Sequence, residues 1–237
     1  DYNFNPDKII SVGGFFSFVK KAHLEHRLSE NIRYIFFTTL PSSGEASFNT
    51  SNILELDGTS SSDMTRAEME GRNQVSDVVR LLQNDIPGFK NAFLIETAGQ
   101  VGVRETRRIV GDYRLTGEDV LEGRKFDDAI ARACYGIDIH GAKGEKDRMD
   151  ELKEGDYYTI PYRSLIHKNS LNLLSAGRSL SSTREGLAAI RIMPTSAATG
   201  EAAGAAAALA IINNIPLRNI PYAKLLPFIR HNVEFND

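Results

Sequence analysis

The residues with the clearest potential for chemistry stand in the middle of the chain, in the segment GVRETRRIVGDYRLT at 102–116. On a strand, Arg104, Thr106 and Arg108 would share one face. Guanidinium groups on one face suit a carboxylate or polyol substrate, because each donates hydrogen bonds in a fixed fork. Exposed or salt-bridged arginines are the alternative, which the sequence leaves open.

Three further residues could act on a bound substrate. His140 follows the apolar alternation of GIDI, and an imidazole can donate or accept a proton near neutral pH. Tyr162 and Arg163 follow Pro161 and are similar candidates, although a purely structural role is open for all three. The remaining histidines (His23, His26, His167 and His231) form no ligand constellation, so no metal site is predicted.

A different kind of site is indicated by the segment RIMPTSAATGEAAGAAAALAII at 191–212. Its composition predicts a helix, and Pro194 suits the first turn because its missing N–H would have no partner there. Thr195 and Ser196 add hydroxyls beside unpaired amides, and the turn carries a partial positive charge. This end of the helix is therefore expected to bind a phosphate, a carboxylate or a carbonyl oxygen.

The same helix has one face that is almost without side chains. Ser196, Gly200, Gly204 and Ala208 are spaced four apart, so they form a stripe along the helix. Two glycines in a helix cost about 1 kcal/mol each relative to alanine, which calls for a steric reason. A neighbouring strand or helix could approach this stripe closely, and tight packing on a sheet is one explanation that the sequence leaves open.

The elements that must position these residues are predicted from periodicity and turn signals. A strand is expected in 32–40, and a helix from Thr65, where Thr65 and Glu68 match a capping box. Two strands are expected in 93–116, a short helix over 125–133, which would bury Cys134, and a strand over 171–177. Residues 141–156 are expected to form an exposed loop or a solvated helix, and Asn213 and Asn214 to end the Ala-rich helix before a last helix near 222–232.

The composition is that of a globular protein. The chain has 237 residues, of which 41% are hydrophobic and 25% charged, and a formal net charge of -3. This charge gives no electrostatic footprint for nucleic acid or an anionic membrane, so neither is expected as a partner. The single cysteine, Cys134, excludes an internal disulfide. No secretory signal is recognised, and we expect a cytoplasmic protein.

Several ordered segments together resemble the C-terminal part of the FAD-dependent oxidoreductases with the glutathione-reductase-like flavin fold. They include LDGTSSSDMTRAEMEGRNQ, the GVRETRR segment, IDIHG, YYTIPYRSLI and NLLSAGRSLSSTREGLAAIRIMPTSAATG. The resemblance covers about residues 46–230 and implies FAD as the cofactor. It places Met193, Pro194, Thr195 and Ser196 near the flavin ring. It also places Ala176, Gly177 and Arg178 near the ribityl or pyrophosphate portion, where many relatives have an acid instead of this arginine.

The sequence departs from that family in one respect. A strand, a G-x-G-x-x-G loop and a helix should hold the ADP pyrophosphate, but SVGGFF at 11–16 lacks the third glycine. The expectation is therefore one part of a flavoenzyme whose N-terminal FAD-binding half lies elsewhere. This chain alone should bind FAD weakly or not at all.

These observations predict an α+β or α/β chain. A mixed-sheet substrate domain would span 1–165, and the C-terminal portion of an FAD-binding Rossmann-like domain would span 166–237. The expected reaction is hydride transfer between a small polar substrate and flavin, and a homo-oligomer is compatible with the sequence. A non-catalytic module derived from a flavin fold is the main alternative. A hydrolase is disfavoured because no G-x-S-x-G motif occurs.

Overall fold

The computed structural model describes residues 10–42, 44–141 and 147–234. Helices are mixed with small antiparallel sheets, so the fold is α+β, as predicted in its coarser form. The chain divides into two compact units, Asp1–Gly102 and Val103–Asp237. The boundary predicted at 165/166 separates a substrate domain from the C-terminal portion of an FAD-binding domain, and it stays a prediction.

The first unit contains a three-stranded antiparallel sheet and two helices. The strands are β1 (Ser11–Gly14), β2 (Ile35–Thr39) and β3 (Ala46–Phe48), in that order, and the helices are α1 (Phe16–Leu24) and α2 (Ser61–Asp85). The strand predicted in 32–40 is confirmed as β2. Its inward residues Ile35 and Phe37 share a core with Val78 and Leu81 of α2, because alternate strand residues face the helix side.

Helix α2 begins four residues before the predicted start at Thr65. Ser60 is the N-cap, and its hydroxyl accepts a hydrogen bond from the backbone N–H of Asp63 at 3.4 Å. Thr65 instead donates its hydroxyl to the Ser61 carbonyl, and Glu68 accepts from the Val101 N–H at 2.6 Å. The predicted capping box is therefore wrong, because an earlier serine already satisfies the first turn.

The second unit is built around a two-stranded sheet and the C-terminal helices. Its elements are α3 (Gly117–Leu121), β4 (Ala129–Ala133), β5 (Ile137–Ile139), β6 (Arg148–Asp150), β7 (Tyr158–Pro161), α4 (Arg184–Ile190), α5 (Met193–Asn213) and α6 (Tyr222–Val233). Strand β4 pairs antiparallel with β7, and β5 pairs antiparallel with β6. Ile130, Tyr158 and Ile160 of the β4–β7 sheet are completely buried.

The helix predicted over 125–133 is wrong, because residues 129–133 form strand β4. Three of the five β4 residues are alanines, which favour a helix locally. Pairing with β7 and burial on both faces outweigh that preference, as tertiary context does for short segments. Cys134, expected in a helix core, follows the strand and is exposed.

The two strands predicted in 93–116 are also absent from this described segment, apart from isolated bridges at Gly111 and Leu115. The backbone N–H groups of Ile109 and Leu115 instead donate to the carbonyls of Ser179 and Ser181. A Cβ on Gly111 would lie 2.7 Å from the Ser181 Cβ, so the close approach of these segments requires glycine. Their irregular spacing leaves no continuous ladder.

Two other predicted segments are partly different from expectation. The strand predicted over 171–177 is wrong, because Leu174 makes only one isolated bridge, to Ile166. Within the predicted loop 141–156, residues 148–150 form β6, while residues 142–146 lie outside the described part of the chain. Residues 151–156 are loop, as expected.

Helix α5 is confirmed and spans Met193–Asn213. Thr195, Thr199, Ala202 and Ala206 form its buried face, which packs against β4 and α6. Asn214 is the C-cap in the left-handed conformation, with φ of 51°, as its side-chain type predicts. Among the residues described, α5 is the one helix long and apolar enough to cross a membrane, which by itself is weak evidence.

Candidate functional site

The N-terminus of α5 is open. Ile192 is the N-cap, and no side chain within the described chain forms a capping hydrogen bond there. The first intrahelical bond runs from the Ser196 N–H to the Ile192 carbonyl at 2.9 Å, so the N–H groups of Met193 and Thr195 precede the helical pattern. Met193 is 86% exposed, whereas Thr195 is buried. This end therefore has two amides without an intrahelical partner, one of them at an exposed residue, and a partial positive charge.

The loop 176–178 lies against the first turns of α5. The Gly177 N–H donates to the Thr199 Oγ1 at 3.0 Å, and that hydroxyl in turn donates to the Ser196 carbonyl at 3.0 Å. Gly177 has φ of +62°, and a Cβ there would lie 3.6 Å from Ser196. Ala176 is half-buried and Arg178 is exposed. The structure thus brings the two predicted cofactor-binding segments together.

A charged cluster adjoins the same helix end. Arg191, which directly precedes the N-cap, donates from one guanidinium nitrogen to the Asp138 Oδ2 at 2.9 Å and to the Asp138 carbonyl at 3.2 Å. The Tyr135 hydroxyl donates to the same Oδ2 at 3.1 Å. Burial, followed by the Asp138 charge, raises the pKa of Tyr135, so this phenol stays protonated at neutral pH. Asp138 therefore ties strand β5 to the start of α5.

His140 belongs to this cluster. Its Nε2 lies 3.7 Å from the Asp138 Oδ1, and its Nδ1 lies 3.7 Å from the Asp147 Oδ1. Burial lowers the pKa of His140, and the positive charge of Arg104 lowers it further, although both aspartates act in the opposite direction. The imidazole is consequently neutral at pH 7 and can accept a proton. The charge of Arg104, another predicted catalytic residue, thus acts on His140.

Tyr162 and Arg163 have other partners. Tyr162 is buried, its hydroxyl donates to the Leu217 carbonyl at 3.0 Å, and burial raises the pKa of this phenol to about 12. Arg163 is exposed, and its Nε donates to the Asp128 Oδ2 at 3.0 Å. The guanidinium of Arg163 also lies over the Tyr113 ring, 5.3 Å from its centre. The interactions of this pair do not involve His140 or the end of α5.

The small-residue stripe of α5 faces outward. Gly200, Gly204 and Ala208 are exposed, and a Cβ at either glycine would meet no atom within 4 Å. The stripe continues through Met193 and Ile211, which are 86% and 82% exposed. The interpretation that a sheet of this chain packs against the stripe is therefore wrong for the residues described. The buried helix face lies about a quarter turn or more away.

The arginine-rich segment 103–108 does not have the predicted strand geometry. Residues 103–108 form no strand, so the shared face of Arg104, Thr106 and Arg108 is wrong. Arg108 pairs with Glu105, which also lies 3.8 Å from Arg184. In the described ranges, no group of three or more His, Cys, Asp or Glu residues is arranged to hold a metal ion.

Sequence reasoning missed three members of the charged cluster, namely Tyr135, Asp138 and Arg191. One signal was available in the sequence. Asp138 lies in strand β5 and His140 directly follows it, two positions further on, so the two side chains are expected on the same face. Arg191 carries no comparable signal, because its contact with Asp138 spans 53 residues of sequence.

Comparison with known proteins adds one finding. The model of a protein family described as FAD dependent oxidoreductase matches residues 14–227. No curated protein matches the chain. No solved structure matches it either. The family match covers most of the chain and confirms the resemblance carried by the sequence motifs.

Proposed function

Because the chain belongs to the FAD-dependent oxidoreductase family, we propose that it takes part in hydride transfer between a small polar substrate and FAD. FAD is the cofactor that this family implies, and a flavin-dependent redox function is favoured over a non-catalytic module. When bound, FAD supplies the acceptor or donor of the hydride. The residues of this chain bind, orient and exchange protons.

The N-terminus of α5 fits the electron-rich edge of a flavin ring. Its Met193 and Thr195 amides have no intrahelical partner, and no side chain of the described chain caps them. Pro194 leaves the second position without a donor, and Ser196 is already bonded to Ile192. Such amides stabilise negative charge on an oxygen or ring nitrogen, because they are preorganised and aligned with the helix dipole. We assign Met193–Ser196 to the ring.

The loop of Ala176, Gly177 and Arg178 is proposed to hold the ribityl or pyrophosphate portion. Its support is the hydrogen bond from Gly177 to Thr199, which fixes the loop against α5. Arg178 is exposed, and its guanidinium suits a phosphate oxygen. The absence of an acid at this position argues for a phosphate rather than a hydroxyl partner.

We assign the substrate side to Arg104 and His140. A cation whose charge acts on a neutral imidazole suits a polar substrate that must lose or gain a proton at an oxygen or nitrogen. Asp138 and Asp147 flank the imidazole at 3.7 Å, which limits its orientations. Tyr162 and Arg163 remain candidates, and their hydrogen bonds favour a supporting role through the β4–β7 sheet.

We further propose that a second polypeptide segment with a glycine-rich βαβ unit binds the ADP portion and completes a Rossmann-like domain with residues 166–237. Two observations support this. The 237 residues contain no G-x-G-x-x-G pattern, and the exposed glycine stripe of α5 admits a close approach by another backbone. Residues 1–165 would then form the substrate domain. Nucleic acid and membrane are not among the partners that we propose.

The observation that carries the proposal is the uncapped N-terminus of α5, and it can be tested by capping it. In Ile192→Asp, the carboxylate would accept from the free amides, which typically stabilises a helix by about 0.5–2 kcal/mol. It would also repel an electron-rich ring. The chain should be produced together with the glycine-rich segment, and flavin absorbance measured after gel filtration.

We expect the Ile192→Asp protein to remain folded and to lose its flavin, while Ile192→Val retains it. Full flavin occupancy in Ile192→Asp would remove the helix end from the cofactor site. If no glycine-rich segment gives a yellow protein with the unaltered chain, the proposed assembly is wrong.

A further inference from the structure

The first unit contains a cleft that the flavin proposal does not use. It lies between the loop 26–29 and one face of α2, and its volume is about 600 Å³. Small-molecule sites commonly enclose about 300–1,000 Å³. On the helix side, Glu70, Asn73, Asp77, Arg80 and Asn84 follow helical spacing and form a polar face. The cleft lies entirely within residues of the first unit.

The floor of the cleft is fixed by a buried amide. Gln74 is 5% exposed, and its Oε1 accepts from the Asn52 N–H at 2.8 Å. Its Nε2 donates to the Asn52 carbonyl at 2.9 Å and lies 3.5 Å from the Ser29 Oγ. These bonds attach both neighbouring loops to α2, so the shape of the cleft is largely preformed.

One wall carries a residue in an uncommon conformation. His26 follows the end of α1 with φ of 54°, in the left-handed region where helices usually have glycine. Few non-glycine residues adopt this conformation, although histidine does so more often than most. His26 is one of the residues that line the cleft, and its imidazole offers a donor and an acceptor there.

The charges around the cleft are already paired. Arg27 donates to Glu25 at 2.7 Å and to Asp85 at 2.8 Å, and Arg80 lies 3.3 Å from Asp77. Glu70, the remaining charged lining residue, lies 4.0 Å from Arg66, so each charged side chain of the lining has a partner of opposite sign. An anion or a cation would have to compete with an existing ion pair.

The groups that remain available are neutral hydrogen-bonding groups. Asn73 and Asn84 are exposed on the lining face, and neither amide has a hydrogen-bond partner within the described part of the chain. Each amide both donates and accepts, as the His26 ring does. Hydroxyl groups have the same dual character. We propose that this cleft binds a neutral, hydroxyl-rich small molecule, a polyol or a saccharide.

The test is a titration of the whole ¹⁵N-labelled chain with sorbitol, followed by amide chemical shifts. We expect saturable shifts at residues 26–29 and along the polar face of α2. Gluconate, which has the same carbon number and one negative charge, should bind at least about tenfold more weakly. Saturation separates specific binding from the general stabilising effect of osmolytes.

The double variant Asn73→Ala, Asn84→Ala should weaken sorbitol binding about tenfold, because two hydrogen bonds to the ligand are lost. Both positions are exposed on a helix, where alanine is favourable, so folding should be unaffected. Asn91→Ala, an exposed asparagine outside the lining, is the matched control and should bind normally.

The proposal is overturned if sorbitol produces no saturable shifts, or if the double variant binds as well as the control. Preferential binding of gluconate would also overturn it, because an anion site contradicts the paired charges. None of these results depends on FAD, so they leave the proposed redox function to its own test.

Discussion

Replacing Gly200 by leucine should have opposite effects on the chain alone and on the flavin-binding assembly. A Cβ at this position meets no atom within 4 Å, and the residue is exposed on the outer stripe of α5. Leucine therefore fits without a clash in the chain itself. In the proposed assembly, the same stripe contacts the backbone of a second segment, where a bulky side chain has no room.

The expected magnitudes follow from these two environments. In the chain alone, leucine removes the helix penalty of glycine and should stabilise it by about 0.8 kcal/mol, or raise Tm by roughly 2–3 °C. In the assembly, overpacking typically costs about 1–3 kcal/mol. This corresponds to roughly 5-fold to 150-fold weaker association.

Two measurements on the same variant test the reasoning. Thermal unfolding of the chain alone gives the first effect, and flavin absorbance of the chain produced with the glycine-rich segment gives the second. Gly200→Ala is the graded control: it should give a similar gain in Tm with a much smaller loss of flavin, because it adds one methyl group. A Gly200→Leu assembly with full flavin occupancy would refute the account of the stripe.

Further predictions concern pH and the buried tyrosine. Burial lowers the pKa of His140, so the unfolded chain binds a proton at this residue more readily than the folded chain. The free energy of unfolding should therefore decrease as pH falls through 6.5, the ordinary pKa of histidine. In urea unfolding at about pH 7.5 and 5.5, His140→Gln should lose less stability between the two pH values than the unaltered chain. The pKa of Tyr162 is raised to about 12, so its contribution to the free energy of unfolding is complete below pH 10 and is lost as pH rises through about 12. Tyr162→Phe should remove this loss of stability at alkaline pH. It should also lower the free energy of unfolding at neutral pH by about 1 kcal/mol, because the hydrogen bond to the Leu217 carbonyl is lost. An unchanged free energy of unfolding would contradict this buried contact.

Local signals in the sequence were sufficient for α5 and for its end at Asn214. The alanine content sets the helix, and Asn214 adopts the left-handed conformation that asparagine tolerates. Strand β2 was also predictable, because its aromatic and β-branched residues fit a half-buried sheet surface. The motifs from 46 to 230 identified the family without any knowledge of the fold.

Long-range contacts explain where sequence reasoning failed. Residues 129–133 favour a helix by composition, but β7, 25 or more residues later, pairs with them and makes a strand. The segment 103–110 has strand-like residues but finds no partner with a regular register in the described chain. The outward direction of the α5 stripe could not be read either, because both faces of this helix consist of small residues.

In the candidate site, too, local features were predictable from the sequence and long-range contacts were not. The end of α5 was predictable from Pro194 and the residues beside it, whereas Asp138 and Arg191 meet only because α4 packs beside β5. His140 was identified by its residue type, but its neutral state depends on burial and on the nearby Arg104. Such environments arise only when the chain is folded.

The most direct measurement of the central claim is the backbone amide spectrum of the chain, produced with the glycine-rich segment, before and after FAD is added. We expect the N–H resonances of Met193 and Thr195 to shift strongly on binding, because these two amides would donate to the ring edge. Amides at the C-terminal end of α5, near Asn213, should move little. Stoichiometric FAD binding that leaves the Met193 and Thr195 resonances unchanged would contradict the claim that this helix end holds the flavin.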